Sequence, residues 1–124
     1  MGKPGDPLIL VVEDEHLVRE LLLLVLAEAG FDTLDASSGV EAIDLMRRQS
    51  RAIGGLVTDV NLSIGPNGWE VAAFAREMWR DIAVVYVTGD SANQWRTRGL
   101  AGSVLIEKPF SPGEVAKTMT GLLG

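Results

Sequence analysis

Short runs of consecutive apolar residues constrain the fold of this chain more than any other feature. The clearest cover Leu8–Val12, residues 56–57 followed by the β-branched Thr58, and residues 82–87. Such runs, bounded by glycine, proline or charged residues, are typical of β-strands. Because polar residues do not alternate with the apolar ones, we expect both faces of these strands to be buried, as in a parallel sheet covered by helices.

Segments with helical periodicity separate the strands. In the first of them, residues 16–29, the spacing of Leu17, Leu21, Leu24 and Val25 predicts the apolar face of a helix. The chain is thus predicted to be a βα unit repeated five times. The two remaining strands are predicted at residues 31–35 and 103–106. The helices are predicted at residues 16–29, 38–48, 69–78, 91–98 and 111–122. This order predicts a single α/β domain in which right-handed crossovers place helices on both faces of a parallel sheet.

Two helix starts carry the pattern of a capping box, in which a serine and a glutamate three residues later each bond the other's backbone N–H. Ser38 and Glu41 form this pattern at the second helix, and Ser111 and Glu114 form it at the last. Pro112 suits the first position of the last helix, because an N–H there would have no partner within the helix. We therefore expect side-chain caps at both helix starts.

Length and composition limit what the chain can do. With 124 residues, of which 47% are hydrophobic, it fits one globular domain at residues 8–124, and the glycines and prolines of residues 1–7 predict a disordered leader. The net charge of −6 argues against nucleic-acid binding. The longest apolar run, residues 21–27, is too short to cross a membrane, so we expect no membrane partner. The lack of cysteine excludes disulfides and favours a cytoplasmic protein.

Polar side chains stand at the ends of four predicted strands. Glu13 and Asp14 follow the first strand, and Asp59 ends the third. Thr88 comes after the fourth and Lys108 after the fifth. Because the carboxyl ends of parallel strands share one edge of a sheet, which is where open α/β sheets bind ligands, we expect these five side chains to meet.

The three carboxylates predict a metal site. Burying them together without a counter-charge is costly, so they require a cation. Oxygen ligands without nearby histidine or cysteine favour Mg²⁺, or else Mn²⁺ or Ca²⁺, over zinc. We expect Glu13, Asp14 and Asp59 to hold the ion, with the backbone carbonyl of Asn61 as a further candidate ligand.

The same edge suits phosphoryl chemistry. The charge of Lys108 and the hydroxyl of Thr88 both suit the oxygens of a phosphoryl group. A carboxylate can attack phosphorus and form an aspartyl phosphate. Asp59 is the central acid and follows a buried strand, so it is the predicted nucleophile.

Four motifs carry a resemblance to a known family: LILVVEDE with its acidic pair, LVTDVN around Asp59, VVYVTGD with Thr88, and EKPF with Lys108. In this order and at these strand ends they resemble the receiver domain of two-component response regulators, which is CheY-like. The resemblance extends from about Leu8 to the end of the chain. It implies a flavodoxin-like, three-layer α/β/α fold whose five-stranded parallel sheet has the order 2-1-3-4-5.

The resemblance also implies a role for each residue of the site. In this family the residue that matches Asp59 accepts a phosphoryl group from a phosphohistidine. Those that match Glu13 and Asp14 bind Mg²⁺, and those that match Thr88 and Lys108 contact the phosphoryl group. The implied partners are a histidine kinase or histidine phosphotransfer protein and a downstream protein target. We expect a monomer or weak dimer that is not an enzyme beyond its own phosphorylation and dephosphorylation.

Two departures from the family pattern bear on signalling. The family usually has phenylalanine or tyrosine three residues before the lysine, where this chain has Leu105. An inward swing of an aromatic ring therefore cannot be the readout, and Tyr86, on a buried strand, is expected to be a core residue. The loop after Asp59 is also a residue longer than the common pattern, with Pro66 near its end.

Three other functions compete with this interpretation. A receiver-like interaction module that is never phosphorylated would share the fold, and Leu105 keeps this alternative open. A Mg²⁺-dependent phosphohydrolase would carry its nucleophile after the first strand, with a second aspartate two residues later. A flavodoxin-like nucleotide binder would need a glycine- or hydroxyl-rich loop after the first strand, where this chain is acidic.

His16 and the three tryptophans have simpler interpretations. His16 lies next to acids at the start of the first helix and is expected to be exposed. Trp69, Trp79 and Trp95 either complete the core or form a partner surface.

Overall fold

The computed structural model describes residues 6–124, in which five parallel strands form one sheet. In chain order the strands are β1 (Leu8–Val12), β2 (Asp32–Ala36), β3 (Gly55–Asp59), β4 (Ala83–Thr88) and β5 (Val104–Glu107). Their order across the sheet is β2-β1-β3-β4-β5, so the predicted order 2-1-3-4-5 is confirmed. The central strands β1, β3 and β4 are buried almost throughout, as their continuous apolar runs predict.

Helices cover both faces of the sheet. They are α1 (His16–Glu28), α2 (Gly39–Arg48), α3 (Gly68–Met78), α4 (Trp95–Arg98) and α5 (Pro112–Leu123), with a 3₁₀ turn at Ala92–Gln94 before α4. Side chains alternate along β1: Leu10 packs in the cluster with α2 and α3, whereas Ile9 and Val11 pack with α1 and α5. This confirms the three-layer fold, and the predicted bounds agree with the structure to about one residue except at α4, where the first part of the helix predicted at residues 91–98 is the 3₁₀ turn. Within residues 6–124, no helix has the length and apolar character needed to cross a membrane.

The predicted apolar face of α1 was wrong. Leu22 and Leu26 are fully buried, whereas Leu17, Leu21 and Leu24 are 76%, 50% and 55% exposed. The middle of this helix is a continuous apolar run, so a spacing of three or four residues can be found on every side of it. Periodicity therefore cannot show which face of the helix is buried, and this face is determined by packing against the sheet.

The two predicted capping boxes had different outcomes. At α2 the Ser38 hydroxyl accepts from the Glu41 N–H at 3.1 Å, but the Glu41 carboxylate accepts from the N–H of Ser37 rather than Ser38. At α5 the Ser111 side chain makes no capping hydrogen bond, so that prediction was wrong. The Glu114 N–H donates instead to the Ser111 backbone carbonyl at 2.9 Å, which leaves the hydroxyl without that donor. Proline is confirmed in the first turn of α5.

A complete capping box occurs at α3, where the sequence analysis did not predict one. The Asn67 side chain accepts from the Glu70 N–H, and the Glu70 carboxylate accepts from the Asn67 N–H, both at 3.0 Å. The pattern is visible in the sequence, with asparagine in place of serine. This box fixes the start of the helix that follows the Asp59 loop.

Only the end of the predicted leader lies within the described residues, since residues 1–5 fall outside them. The Pro7 carbonyl accepts from the Asp32 N–H at 3.1 Å, at the start of β2. Arg51 donates to the Asp6 carbonyl and pairs with Asp32 at 2.8 Å. Residues 6 and 7 are therefore bonded to the amino-terminal end of the sheet.

Tyr86 is a core residue, as predicted. Its ring is fully buried, with its centroid 4.6 Å from that of Trp69. Its hydroxyl accepts from the Leu100 N–H at 3.2 Å, and it lies opposite Leu105 in the pairing of β4 with β5. Trp69 is also buried, and Trp95 is partly buried, with its indole N–H donating to the Ser103 hydroxyl at 3.0 Å.

Gly68 allows the start of α3 to pack directly on the backbone that follows β3. A β-carbon on Gly68 would lie 2.2 Å from the Asp59 carbonyl oxygen and 2.7 Å from the Val60 α-carbon. The Gly68 N–H also donates to the Val60 carbonyl at 2.8 Å, which closes the base of the loop. Since these neighbours are backbone atoms, which cannot rotate away, glycine is required here.

Gly68→Ala is expected to lower the free energy of unfolding by about 2–3 kcal/mol, because the added methyl group overpacks a backbone contact. Urea denaturation measures this change. Gly121→Ala in α5 is the matched control, because a β-carbon there meets no atom within 4 Å. It should stabilise the protein by about 0.5 kcal/mol, since alanine is the better helix former. Equal effects of the two substitutions would contradict the close packing described for Gly68.

Candidate functional site

The carboxyl ends of four strands lie at one edge of the sheet and bring the predicted site residues together. Asp59 and Thr88 are the last residues of β3 and β4, while Glu13 and Lys108 directly follow β1 and β5. Asp14 comes next along the chain. The Lys108 N–H donates to the Thr88 carbonyl at 2.7 Å, which extends the pairing of β4 and β5 up to the lysine. The parallel sheet thus makes neighbours of residues that are far apart in sequence.

Lys108 forms ion pairs with two of the three acids. Its Nζ donates to Asp59 Oδ2 at 3.0 Å and lies 3.4 Å from Glu13 Oε1. Partial burial acts to lower the pKa of Lys108, but the hydrogen bond and charge of Asp59, together with the charge of Glu13, outweigh it. The pKa of Lys108 is therefore raised above its ordinary value, and the side chain carries a full positive charge at neutral pH.

Glu13 is a fully buried carboxyl group whose polar contacts are incomplete. Its Oε2 accepts from the Glu15 N–H at 3.1 Å, whereas its Oε1 has no hydrogen-bond donor within residues 6–124. Burial raises the pKa of Glu13 from its ordinary value of 4.5 to about 7, and the charge of Asp59 adds to the rise. The Glu15 N–H and the charge of Lys108 oppose it. The fold thus holds an acid that lacks sufficient positive charge around it.

Asp14 is partly exposed and has a different environment. The hydroxyl of Ser63, on the loop after β3, donates a hydrogen bond to Asp14 Oδ2. Burial acts to raise the pKa of Asp14, but the hydrogen bonds, first among them that of Ser63, lower it below its ordinary value. Asp14 is therefore held as a carboxylate beside its buried neighbour Glu13.

The three acids fit a divalent cation. One carboxylate oxygen from each of Glu13, Asp14 and Asp59 can be chosen so that all three lie within 4.8 Å of one another. Lys108 supplies one positive charge to this cluster, and the buried Glu13 Oε1 lacks a hydrogen-bond donor. A set of carboxylate oxygens with unmet negative charge suits a hard cation of the Mg²⁺ type.

Asn61 links the phosphoacceptor candidate to the loop after β4. Its backbone N–H donates to Asp59 Oδ1 at 3.2 Å. Its side-chain amide donates to Asp90 Oδ1 and, at 3.1 Å, to the Ser91 hydroxyl. The assignment of its carbonyl as a metal ligand stays a prediction.

Thr88 is fully buried, and its hydroxyl oxygen accepts from the Ser91 N–H at 3.0 Å. The hydroxyl thus caps the turn before the 3₁₀ segment, which is the simple structural role for a threonine at this position. Because a hydroxyl oxygen accepts and its proton donates independently, the Thr88 proton is still available to a group at the site.

Two contributors were absent from the sequence prediction. Ser63 contacts Asp14, and Ser91 contacts both Thr88 and Asn61. Both are serines in irregular segments, where neither periodicity nor spacing indicates the path of the chain.

His16 is exposed, as predicted, and its Nε2 lies 4.0 Å from Glu20 Oε1.

Comparison with known proteins agrees with this geometry. The family model for the response regulator receiver domain matches residues 9–120. A crystal structure of a response regulator receiver protein from Sinorhizobium medicae has a TM-score of 0.91 to this chain at 33% identity. The match covers 98% of this chain and 97% of that one.

Two curated relatives are similar at the sequence level. The aerobic respiration control protein ArcA of Escherichia coli is 31% identical over 119 residues, which are 94% of this chain and 48% of ArcA. The phosphate regulon transcriptional regulatory protein PhoB of Escherichia coli is 32% identical over 118 residues, which are 93% of this chain and 51% of PhoB. The chain thus spans about half the length of these relatives. Since the family model matches nearly the whole sequence and the relatives align with more than nine-tenths of it, the chain belongs to the response regulator receiver domain family.

Proposed function

We propose that residues 8–124 form a phosphoacceptor receiver domain of two-component phosphorelay signalling. In this proposal Asp59 takes a phosphoryl group from a histidine kinase or histidine phosphotransfer protein, and Mg²⁺ is required. The observation that carries the proposal is the contact of Lys108 Nζ with Asp59 Oδ2 beside the acids Glu13 and Asp14. Phosphoacceptance in two-component signalling is also the function of the receiver family to which the chain belongs.

Phosphoryl transfer forms a bond between a carboxylate oxygen of Asp59 and phosphorus, while the bond from phosphorus to the donor imidazole breaks. The imidazole nitrogen leaves with the electron pair. Lys108 already lies at hydrogen-bond distance from the Asp59 carboxylate, so its ammonium group can donate instead to an oxygen of the bound phosphoryl group and offset the negative charge there. The Thr88 hydroxyl proton is a second donor for these oxygens.

Glu13, Asp14 and Asp59 would hold the cation, and the Asn61 carbonyl is the further proposed ligand. When bound, Mg²⁺ supplies positive charge that offsets the repulsion between the carboxylates and the phosphoryl oxygens. Glu13 and Asp14 have no part in bond formation; they fix where that charge sits relative to Asp59.

We propose that the output is a contact with a downstream protein. Leu105 has no ring to move, and Tyr86 is held by Trp69 and by the Leu100 N–H. The phosphorylated state would therefore be read through the loops around Asp59, where Asn61 and Thr88 both contact Ser91. Receiver domains act in signalling rather than as enzymes on external substrates, and we propose the same for this chain.

Treatment with acetyl phosphate and Mg²⁺ tests the phosphoacceptor assignment. Intact mass spectrometry should show one added phosphoryl group on the parent and none on Asp59→Asn, because the amide lacks the nucleophilic oxygen. Asp44→Asn is the matched control, since this aspartate is exposed on α2 and pairs with Arg48 there. It should label like the parent.

Labelling of Asp59→Asn would contradict the assignment. Absence of labelling on the parent would favour an interaction module that is never phosphorylated. Continuous release of phosphate from phosphate esters would favour a phosphohydrolase.

Glu13→Gln is expected to raise the free energy of unfolding in metal-free buffer at pH 8 by about 1–2 kcal/mol, since it removes a buried, poorly paired charge. The pKa of Glu13 is about 7 in the folded protein against 4.5 ordinarily. The folded state therefore binds more protons than the unfolded state between these values, and the parent loses stability as pH rises through this range. The advantage of the variant should disappear below about pH 4.5.

Urea denaturation of the parent and Glu13→Gln at pH 4 and pH 8, with and without Mg²⁺, measures these differences in the free energy of unfolding. Mg²⁺ should stabilise the parent at pH 8 and should stabilise Glu13→Gln much less, because an amide is a weaker ligand. Glu20→Gln on the exposed side of α1 is the control and should behave like the parent. A variant less stable than the parent at pH 8 without metal would show that Glu13 is not a destabilising charge.

A further inference from the structure

The loop between β3 and α3, residues 60–67, contacts three of the strand ends that form the site. The Asn61 N–H bonds Asp59 at the end of β3, and the Asn61 side chain bonds Asp90 and Ser91 after β4. The Ser63 hydroxyl bonds Asp14 after β1. The first contact reaches the proposed nucleophile, and the second joins the loop to the segment after β4. The third contact reaches an acid of the proposed cation site, and the proposed reaction gives this contact no role.

Of the three acids, Asp14 has the least support from the sheet. Glu13 is fully buried and accepts the Glu15 N–H, and Asp59 is held by Lys108 and Asn61. Asp14 is partly exposed, and among the hydrogen bonds to its carboxylate, which also involve the Ser63 backbone and its own backbone, that of the Ser63 hydroxyl has the largest effect on its pKa. Fixing a free side chain on ion binding costs conformational entropy, and a hydrogen bond already in place reduces that cost.

We propose that Ser63 is a positioning residue for the divalent cation, whose hydroxyl holds the Asp14 carboxylate in the orientation that binds the ion. This inference rests on the proposed cation site of Glu13, Asp14 and Asp59. A carboxylate has about four acceptor positions, so Asp14 can accept from Ser63 and still direct other lone pairs at a metal. Hydrogen-bond partners of metal ligands commonly act in this way.

The loop that carries Ser63 is braced at both ends. At its base the Gly68 N–H bonds the Val60 carbonyl at 2.8 Å. At its far side a β-carbon on Gly39 would lie 2.1 Å from the Pro66 carbonyl oxygen, so the loop packs directly on the start of α2. Between these contacts Gly65 adopts φ of 81°, a conformation that favours glycine. Ser63 is therefore presented to Asp14 from a supported loop.

The test is the dissociation constant of Mg²⁺ from the unphosphorylated protein, measured by isothermal titration calorimetry. Ser63→Ala should weaken Mg²⁺ binding about tenfold, at the lower end of the range for partners of metal ligands. Ser63→Thr keeps the hydroxyl and should bind within about twofold of the parent. Ser50→Ala is the control, because this exposed serine follows α2 at the opposite edge of the sheet, and it should bind like the parent.

Metal-free urea denaturation of the same variants shows whether Ser63→Ala retains the fold. Its free energy of unfolding should lie within about 0.5 kcal/mol of the parent value, as for most surface substitutions. If Ser63→Ala unfolds, Ser63→Thr and Ser63→Gly carry the comparison, and weaker binding by the glycine variant alone supports the role.

Equal or tighter Mg²⁺ binding by Ser63→Ala would overturn the proposal, because the hydroxyl would then be neutral or a competitor for the Asp14 oxygen. In that case Mg²⁺ binding by the parent and its loss in Asp14→Asn would leave the proposed function intact. If the parent itself does not bind Mg²⁺, the proposed cation site and the role of Ser63 fail together.

Discussion

The unequal charge at the carboxyl edge of the sheet is the constraint that dominates the electrostatics of the site. Lys108 is within hydrogen-bond or ion-pair distance of Asp59 and Glu13, but a single ammonium group faces three carboxylates. Burial of Glu13 raises its pKa to about 7, and repulsion from the charge of Asp59 adds to the rise. A fold selected for stability alone would replace such a group with an apolar side chain, since buried charges seldom add stability. The excess of negative charge is explained if the site is built to receive positive charge from outside.

The sheet can hold this arrangement because its strands are rigid and its crossovers are parallel. β1, β3 and β4 are buried on both faces, so the positions of their end residues are fixed by packing rather than by the acids themselves. Gly68 brings α3 against the backbone at Asp59, and the Lys108 N–H continues the ladder between β4 and β5. The packed sheet thus holds the acids together despite their repulsion, and the proposed ion or phosphoryl group would meet ligands already in place.

What could be predicted from the sequence follows from the same physics. Apolar runs such as Leu8–Val12 specify buried strands, and parallel strands place Asp59 and Lys108 at one edge, so the fold and the meeting of these residues were accessible. The buried face of α1 could not be predicted, because apolar residues lie on every side of this helix. The contact of Ser63 with Asp14 was also inaccessible, since it depends on the path of an irregular loop rather than on a period.

The contacts around Asp59 also limit how a change there can spread. A phosphoryl group can shift the conformational equilibrium only through contacts that differ between the two states. The ring of Tyr86 is held by packing and by the Leu100 N–H, which opposes rearrangement of the core beneath β4. The hydroxyl of Thr88, in contrast, lies at the end of β4 and accepts from the Ser91 N–H in the segment that follows. If the proposed phosphoryl group displaces that hydroxyl, the bond to Ser91 changes with it, so we expect the segment after β4 to differ between the two states.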